Sequence, residues 1–112
     1  MRTCRCDIVT IATGHAASMA AFLAAVGGTK GKRYISCHCE MMLHQPLGEV
    51  SGSASAIVRA AAHISRVRTI LNTHLAEATG QTVTQIEADT AHEDRYFTAE
   101  EAVAYGLADY IL

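Results

Sequence analysis

Apolar and polar positions divide the chain into strand-like and helix-like stretches. The β-branched run Ile8-Val9-Thr10-Ile11 predicts a buried strand over Asp7 to Ala12. A small-residue turn, Gly14-His15-Ala16-Ala17-Ser18, leads from it into an alanine-rich helix over Met19 to Val26. The glycine-rich segment Gly27-Gly28-Thr29-Lys30-Gly31-Lys32 closes that helix. Arg33 to Leu43 reads as a second strand. It stops at His44-Gln45-Pro46, because the single proline drives Gln45 out of helical backbone. His44 is thereby expected at a strand tip.

From about Ser53 to Thr79 nothing breaks a helix. Ile57, Ala61, Ile64, Arg68, Leu71 and Leu75 recur there at steps of four and three, and Gly80 offers a left-handed cap. Val58, Val67 and Ile70 fall outside that stripe, so the apolar surface is wider than one contact face needs. That width predicts packing against another subunit, the alternative being a broad core face. Thr82-Val83-Thr84-Gln85 and Thr98-Ala99-Glu100-Glu101 both read as capping boxes, opening short helices that run to about Ala88 and to Gly106. The carboxylate-rich stretch Asp89 to Arg95 between them reads as a loop, and Leu107 to Leu112 as a terminal strand. The order of elements predicts an α/β fold in one domain over residues 1–112, without repeats or linkers.

Composition narrows the functional classes. Half of the 112 residues are apolar, 18% are charged, and the formal net charge is −2, so a folded chain is expected. No run of Lys or Arg offers a nucleic-acid or anionic-membrane surface. Ile8 to Val26 carries no formal charge, yet Thr10, Thr13, Gly14, His15 and Ser18 make it too polar for a membrane span or a signal segment. A cytoplasmic protein acting on small substrates or on other proteins is the expectation. The four cysteines fall as Cys4-Arg5-Cys6 and Cys37-His38-Cys39. Structural zinc sites usually leave two to four residues between thiolates, so reduced structural thiols are expected and no metal. In a strand Cys37 and Cys39 would share one face.

Ser18 carries the strongest chemical signal. A hydroxyl where a buried strand turns into a helix is exposed, rigidly held and close to backbone N–H groups that stabilise an oxyanion. Acyl transfer by serine also needs a base and a carboxylate to orient it. His44 at the strand tip and Asp94 in the acidic loop fill those roles, and the Met19 N–H follows the nucleophile into the helix. Taken singly, each residue has an ordinary explanation as a cap, a solvated imidazole or a turn residue. His15, His38, His63, His74 and His92 compete for the role of base.

Five segments together resemble the ClpP family, the proteolytic subunits of the ATP-dependent Clp protease. They are Gly14-His15-Ala16-Ala17-Ser18-Met19, Lys30-Gly31-Lys32-Arg33-Tyr34, His44-Gln45-Pro46-Leu47-Gly48, Thr79-Gly80-Gln81, and Phe97-Thr98-Ala99-Glu100-Glu101-Ala102 with Tyr105-Gly106-Leu107. The match keeps the family's order from about Cys6 to Leu112. The resemblance implies a crotonase-like α/β fold, partial here, and a serine endopeptidase working inside stacked heptameric rings of like subunits. An AAA+ unfoldase such as ClpX, ClpA or ClpC would deliver unfolded protein substrates and consume the ATP, leaving no cofactor to this chain. By motif, Ser18 matches the nucleophile, His44 the base, the Met19 amide one oxyanion donor, and the helix near Ser53 the handle that interlocks rings.

Departures from the family pattern qualify that implication. The match starts well inside the pattern, so the axial loops, the early strands and the glycine pair supplying the other oxyanion donor have no counterpart. One lost donor costs about 10²–10³ in turnover. The chain alone is therefore expected to be inactive unless completed in trans or by assembly, with a noncatalytic structural subunit of a mixed ring, or an inert fragment, as the alternatives. Where the family has Asp-Arg-Asp, Ala91-His92-Glu93-Asp94 stands, one residue longer. Counting back from Phe97-Thr98-Ala99 selects Asp94 as the triad carboxylate, whereas counting forward from Asp89-Thr90 selects Glu93. The family's Asp-Arg pair that links rings is not reproduced, and a further residue is inserted at Gly27-Gly28. His15 replaces a residue commonly methionine, and Cys37-His38-Cys39 replaces a proline-containing stretch.

Overall fold

A computed structural model describes residues 1–112. The ten elements, in chain order, are β1 (Thr10–Ala12), β2 (His15–Ala17), α1 (Met19–Gly27), β3 (Arg33–Ile35), β4 (Glu40–Leu43), α2 (Ala54–Thr79), α3 (Val83–Thr90), β5 (Arg95–Phe97), α4 (Ala99–Tyr105) and β6 (Tyr110–Ile111). The strands form two three-stranded sheets, β1-β3-β6, all parallel, and β2-β4-β5, in which β4 and β5 are antiparallel. This is the mixed α/β architecture expected from the sequence.

The strand expected over Asp7 to Ala12 is shortened to β1, the turn expected at Gly14 to Ser18 contains β2, and the strand expected over Arg33 to Leu43 is split into β3 and β4. The chain leaves the first sheet after Ala12, turns at Gly14 with φ +68°, and enters the second sheet as β2. It makes the same crossing after Ile35, through a turn in which the Cys39 N–H donates to the Ser36 carbonyl at 2.9 Å. Because the crossings match, β1 pairs with β3 and β2 with β4 in parallel, Ile11 opposite Tyr34 and Ala16 opposite Met41. The turn also overturns the shared face expected for the second cysteine pair: Cys37 is exposed and Cys39 buried.

Helix ends follow their local chemistry more closely. Ser53 caps α2, and Gly80 closes it in the left-handed conformation with its N–H on the Ala76 carbonyl. Thr98 and Glu101 form a complete capping box on α4. At α3 the box is only half made. Thr82 accepts from the Gln85 N–H, but the Gln85 side chain turns away to Asp89. The terminal strand shrinks to two residues because Leu107 still closes α4, its N–H reaching the Ala102 carbonyl at 2.8 Å.

Sixteen buried apolar residues form the core, among them Ile35, Met41, Ile86, Phe97 and Leu107. At its edge lies one buried cation. Arg33, 3% exposed, forks onto Asp109 and places Nη1 on the carbonyls of Ala25, Ala78 and Gly106. Those carbonyls stand at the C-terminal ends of α1, α2 and α4, where helix dipoles present negative charge. One guanidinium thus ties three helix ends together. Asp109 closes the group by accepting the backbone N–H groups of Gly31 and Arg33.

Gly106 sits where two of those ends meet. Its φ is +95°, and a Cβ there would collide with the Thr79 carbonyl oxygen, a backbone atom. Gly106→Ala is expected to cost about 1–3 kcal/mol from conformation alone, and more from the contact. Thermal unfolding reads this as a lower Tm, whereas Gly31→Ala, which meets nothing within 4 Å, shows only the cost of its positive φ.

The long helix does not spread its apolar surface over this core. Only Asn72 and Leu75 of α2 are buried, and Ile57, Val58 (68% exposed) and Ile70 face outward. Over the first two-thirds of the helix Ile57, Val58 and Ile70 stay exposed, while Ile64 and Val67 are half-buried. No helix is long and apolar enough to cross a membrane.

Candidate active site

Ser18 joins β2 to α1, and its backbone is held from both sides. Its N–H donates to the Met42 carbonyl of β4 at 2.9 Å, and its carbonyl accepts the Phe22 N–H, starting the helix. Between these anchors Ser18 adopts φ 56° and ψ −118°, making it the single non-glycine residue of the chain with positive φ. For an L-residue this conformation is strained, and it turns the side chain out of the strand-to-helix corner.

Although Ser18 occupies the cap position of α1, its side chain makes no cap hydrogen bond. The hydroxyl oxygen lies instead 2.7 Å from His44 Nε2. His44 follows directly on β4, the strand paired with β2, so sheet register brings the two side chains together across 26 residues. The imidazole nitrogen can accept the hydroxyl proton when Nδ1 carries the ring proton. As the first helical residue, Met19 has an N–H without an intrahelical acceptor, at the positive end of α1.

The carboxylate of the expected triad is not in contact. Glu93 and Asp94 are exposed in the loop before β5, and neither hydrogen-bonds to His44. That loop is short and anchored at both ends. Gln45, next to His44, donates from Nε2 to the Ala91 carbonyl at 2.7 Å. On the other side Arg95 pairs with Asp89, which also accepts the Tyr105 hydroxyl at 2.7 Å, while the guanidinium lies over the Phe97 and Tyr105 rings. Burial, then the bond to Asp89, pushes the Tyr105 phenol well above its ordinary range. Residues 92–94 are the free span between these anchors.

The other histidines lie elsewhere. His15 stacks on Tyr96 with ring centres 6.3 Å apart, His74 faces Arg2 and Glu77, and His63 stands beside Arg66. His38 lies in the turn between β3 and β4, and His92 in the loop before β5. No three His, Cys, Asp or Glu side chains are grouped to hold a metal ion. Burial raises the Cys39 thiol above its ordinary pKa, which keeps it protonated.

A cavity of about 360 Å³ opens beside the Ser18–His44 pair. Phe22, Leu43, Val67, Leu71 and Leu75 supply its apolar walls, and Asn72 lies among them. Gln45 and Asn72 were not singled out from sequence. Gln45 carried a signal in its place beside the base, and Asn72 in being an amide on the buried side of a helix whose neighbours Leu71 and Leu75 are apolar.

A family model described as Clp protease matches residues 1–112. The chain is 49% identical over 107 residues to the ATP-dependent Clp protease proteolytic subunit 2 of Mycolicibacterium paratuberculosis, covering 96% of this chain and 53% of that relative. The proteolytic subunit 1 of Mycobacterium tuberculosis is similar to the same extent, with 52% of its length covered, and that of Mycobacterium leprae is 48% identical over 107 residues. The chain spans about half the length of the curated relatives it matches.

Proposed function

The chain belongs to the Clp protease family, and from that membership we propose that it hydrolyses peptide bonds of unfolded proteins through Ser18. The observation that supports this reading is the 2.7 Å contact between Ser18 Oγ and His44 Nε2, made by a serine held in a strained corner and excused from capping.

In the proposed reaction Ser18 Oγ bonds to the scissile carbonyl carbon while its proton passes to His44 Nε2. The Met19 N–H, at the α1 N-terminus, faces the developing oxyanion. As the tetrahedral adduct collapses, the C–N bond breaks and His44 returns the proton to the leaving amine. Water then repeats the sequence on the acyl-enzyme, with His44 again as base. The cavity takes the side chain that precedes the scissile bond. Asp94 serves as the carboxylate, closing on Nδ1–H of His44 by movement of the span 92–94, with Glu93 as the competing candidate.

Assembly gives the rest of the molecule its role. The uncovered apolar side of α2, with Ile57, Val58 and Ile70, is the proposed contact with like subunits in stacked rings. An AAA+ unfoldase supplies substrate and uses the ATP, and the setting is cytoplasmic.

The test is peptidase activity on a short fluorogenic peptide and on an unfolded protein, measured for this chain alone and mixed with a full-length Clp proteolytic subunit whose own serine is inactivated. Hydrolysis that disappears in Ser18→Ala is the expected result. Activity that survives Ser18→Ala removes Ser18 as the nucleophile, and none in the mixture although the chain joins the ring replaces the proposal with a structural subunit.

A further inference from the structure

We propose that Cys4 and Cys6 form a thiol–disulfide exchange site, in which the pair reduces anionic low-molecular-weight disulfides and closes into a disulfide across Arg5. The site uses none of the groups around Ser18.

The two thiols are presented to solvent. Cys4 and Cys6 are both free and exposed, whereas Cys39 belongs to the core. The expectation of structural thiols therefore holds for Cys39 and fails for this pair. Two ion pairs flank them and tie the segment to the fold, Arg2 with Glu77 of α2 at 3.1 Å and Asp7 with Lys32 at 2.6 Å. The chain turns before Cys4, whose N–H reaches the Met1 carbonyl at 3.0 Å, and bends again at Arg5 and Cys6. Residues two apart lie at most about 7 Å from Cα to Cα, and a bend shortens that span into the range a disulfide bridges. Closure over so short a loop is strained, which makes the bond readily exchanged. No third His, Cys, Asp or Glu is grouped with the pair, so the two sulfurs suit exchange and not a metal ion.

Charge selects the partner. Both cysteines line a cavity of about 340 Å³ whose walls also carry Arg2, Arg5 and Lys30. Of the carboxylates there, Asp7 is neutralised by Lys32 and Glu77 by Arg2. Arg5 and Lys30 are exposed and pair with no carboxylate. In a chain of formal net charge −2, this local surplus of cations draws an anion toward the thiols.

The exchange balances between two thiols and one disulfide. The thiolate of one cysteine, its proton lost to solvent, attacks a sulfur of the disulfide, whose S–S bond breaks as one thiolate leaves. The second cysteine, likewise deprotonated, attacks the protein sulfur of that mixed disulfide. Cys4 Sγ then bonds to Cys6 Sγ and the second thiolate leaves. The protein loses two electrons, and the disulfide is reduced to two thiols.

The test uses the full chain carrying Cys37→Ser, which leaves Cys4 and Cys6 as the exposed thiols, with the free peptide spanning Thr3 to Asp7 as reference. Rates are measured with a dianionic disulfide, dithiobis(nitrobenzoate), and a dicationic one, cystamine. At low salt the ratio of dianion to dication rates is expected to be at least about tenfold higher in the protein than in the peptide. In about 1 M salt, where the screening length is about 3 Å, it is expected to return to the peptide's value. Lys30→Glu is expected to lower the protein's ratio at low salt by at least about threefold. Mass spectrometry is expected to find a Cys4–Cys6 disulfide with no reagent retained. A protein ratio equal to the peptide's, a ratio unmoved by Lys30→Glu, or stable mixed disulfides on Cys4 and Cys6 would overturn the proposal.

Discussion

Arg33→Met is expected to lower the free energy of unfolding by about 3–5 kcal/mol, the range for removing one partner from a buried ion pair. Methionine fills most of the volume but donates nothing. Asp109, 13% exposed, would keep its charge without the fork, and the carbonyls of Ala25, Ala78 and Gly106 would each lose a bond. Set against the 5–15 kcal/mol typical of a domain, that loss removes much of the margin. Urea unfolding gives the direct measure. Arg33→Met combined with Asp109→Leu is expected to recover part of the loss, since the stranded carboxylate is then gone as well.

The same pair sets an acid limit. Hydrogen bonds from the Arg33 side chain, opposed by burial and reinforced by the Arg33 and Gly31 backbone N–H groups, hold Asp109 below the ordinary carboxylate range. A carboxyl whose folded pKa is depressed stabilises the fold above its unfolded pKa of about 3.9 and loses that contribution as pH falls through the folded value. Stability is therefore expected to fall below about pH 4. In Asp109→Asn that part of the slope is absent. An identical acid slope in wild type and Asp109→Asn would remove Asp109 from the account.

The second large effect concerns the base. His44→Ala is expected to slow acylation of Ser18 by about 10²–10⁴-fold, the usual contribution of a positioned general base. The fold should tolerate the change, because His44 lies at the rim of the cavity and outside the core. Asp94→Asn is expected to slow the same step more than Glu93→Gln does. Asp94 adjoins Arg95, whose pairing with Asp89 anchors the end of the span from which it would close. A larger loss in Glu93→Gln would transfer the role to Glu93.

How far the sequence could be read differs from element to element. The helices were legible because their stops and caps are local: Ser53, Gly80, Thr98 and Gly106 act within one turn of the residues they terminate. The strands were less so. Strands of three or four residues carry almost no period, and nothing local marks Gly14 or Ser36 to Cys39 as points where the chain changes sheets. Strand β5 passed for loop because Arg95-Tyr96-Phe97 becomes a strand only through pairing with β4.

The site divides in the same way. Ser18 stood out because its corner is built from neighbouring residues, and His44 because Pro46 fixes where its strand ends. Their 2.7 Å contact depends on parallel pairing of β2 with β4, which no local pattern encodes. Asn72 was hidden for a related reason. Its Nδ2 is buried without a hydrogen-bond partner, a property of packing that only the folded chain displays.

The measurement closest to the central claim is the rate at which a fluorophosphonate labels the folded chain assembled with a full-length Clp proteolytic subunit whose own serine is inactivated, with the labelled residue identified by mass spectrometry. Labelling forms an Oγ–P bond as the P–F bond breaks, and it needs the serine proton removed. The account predicts one label, on Ser18, absent in Ser18→Ala and slowed at least a hundredfold in His44→Ala. Labelling at another residue, or labelling of Ser18 at the same rate without His44, would contradict it.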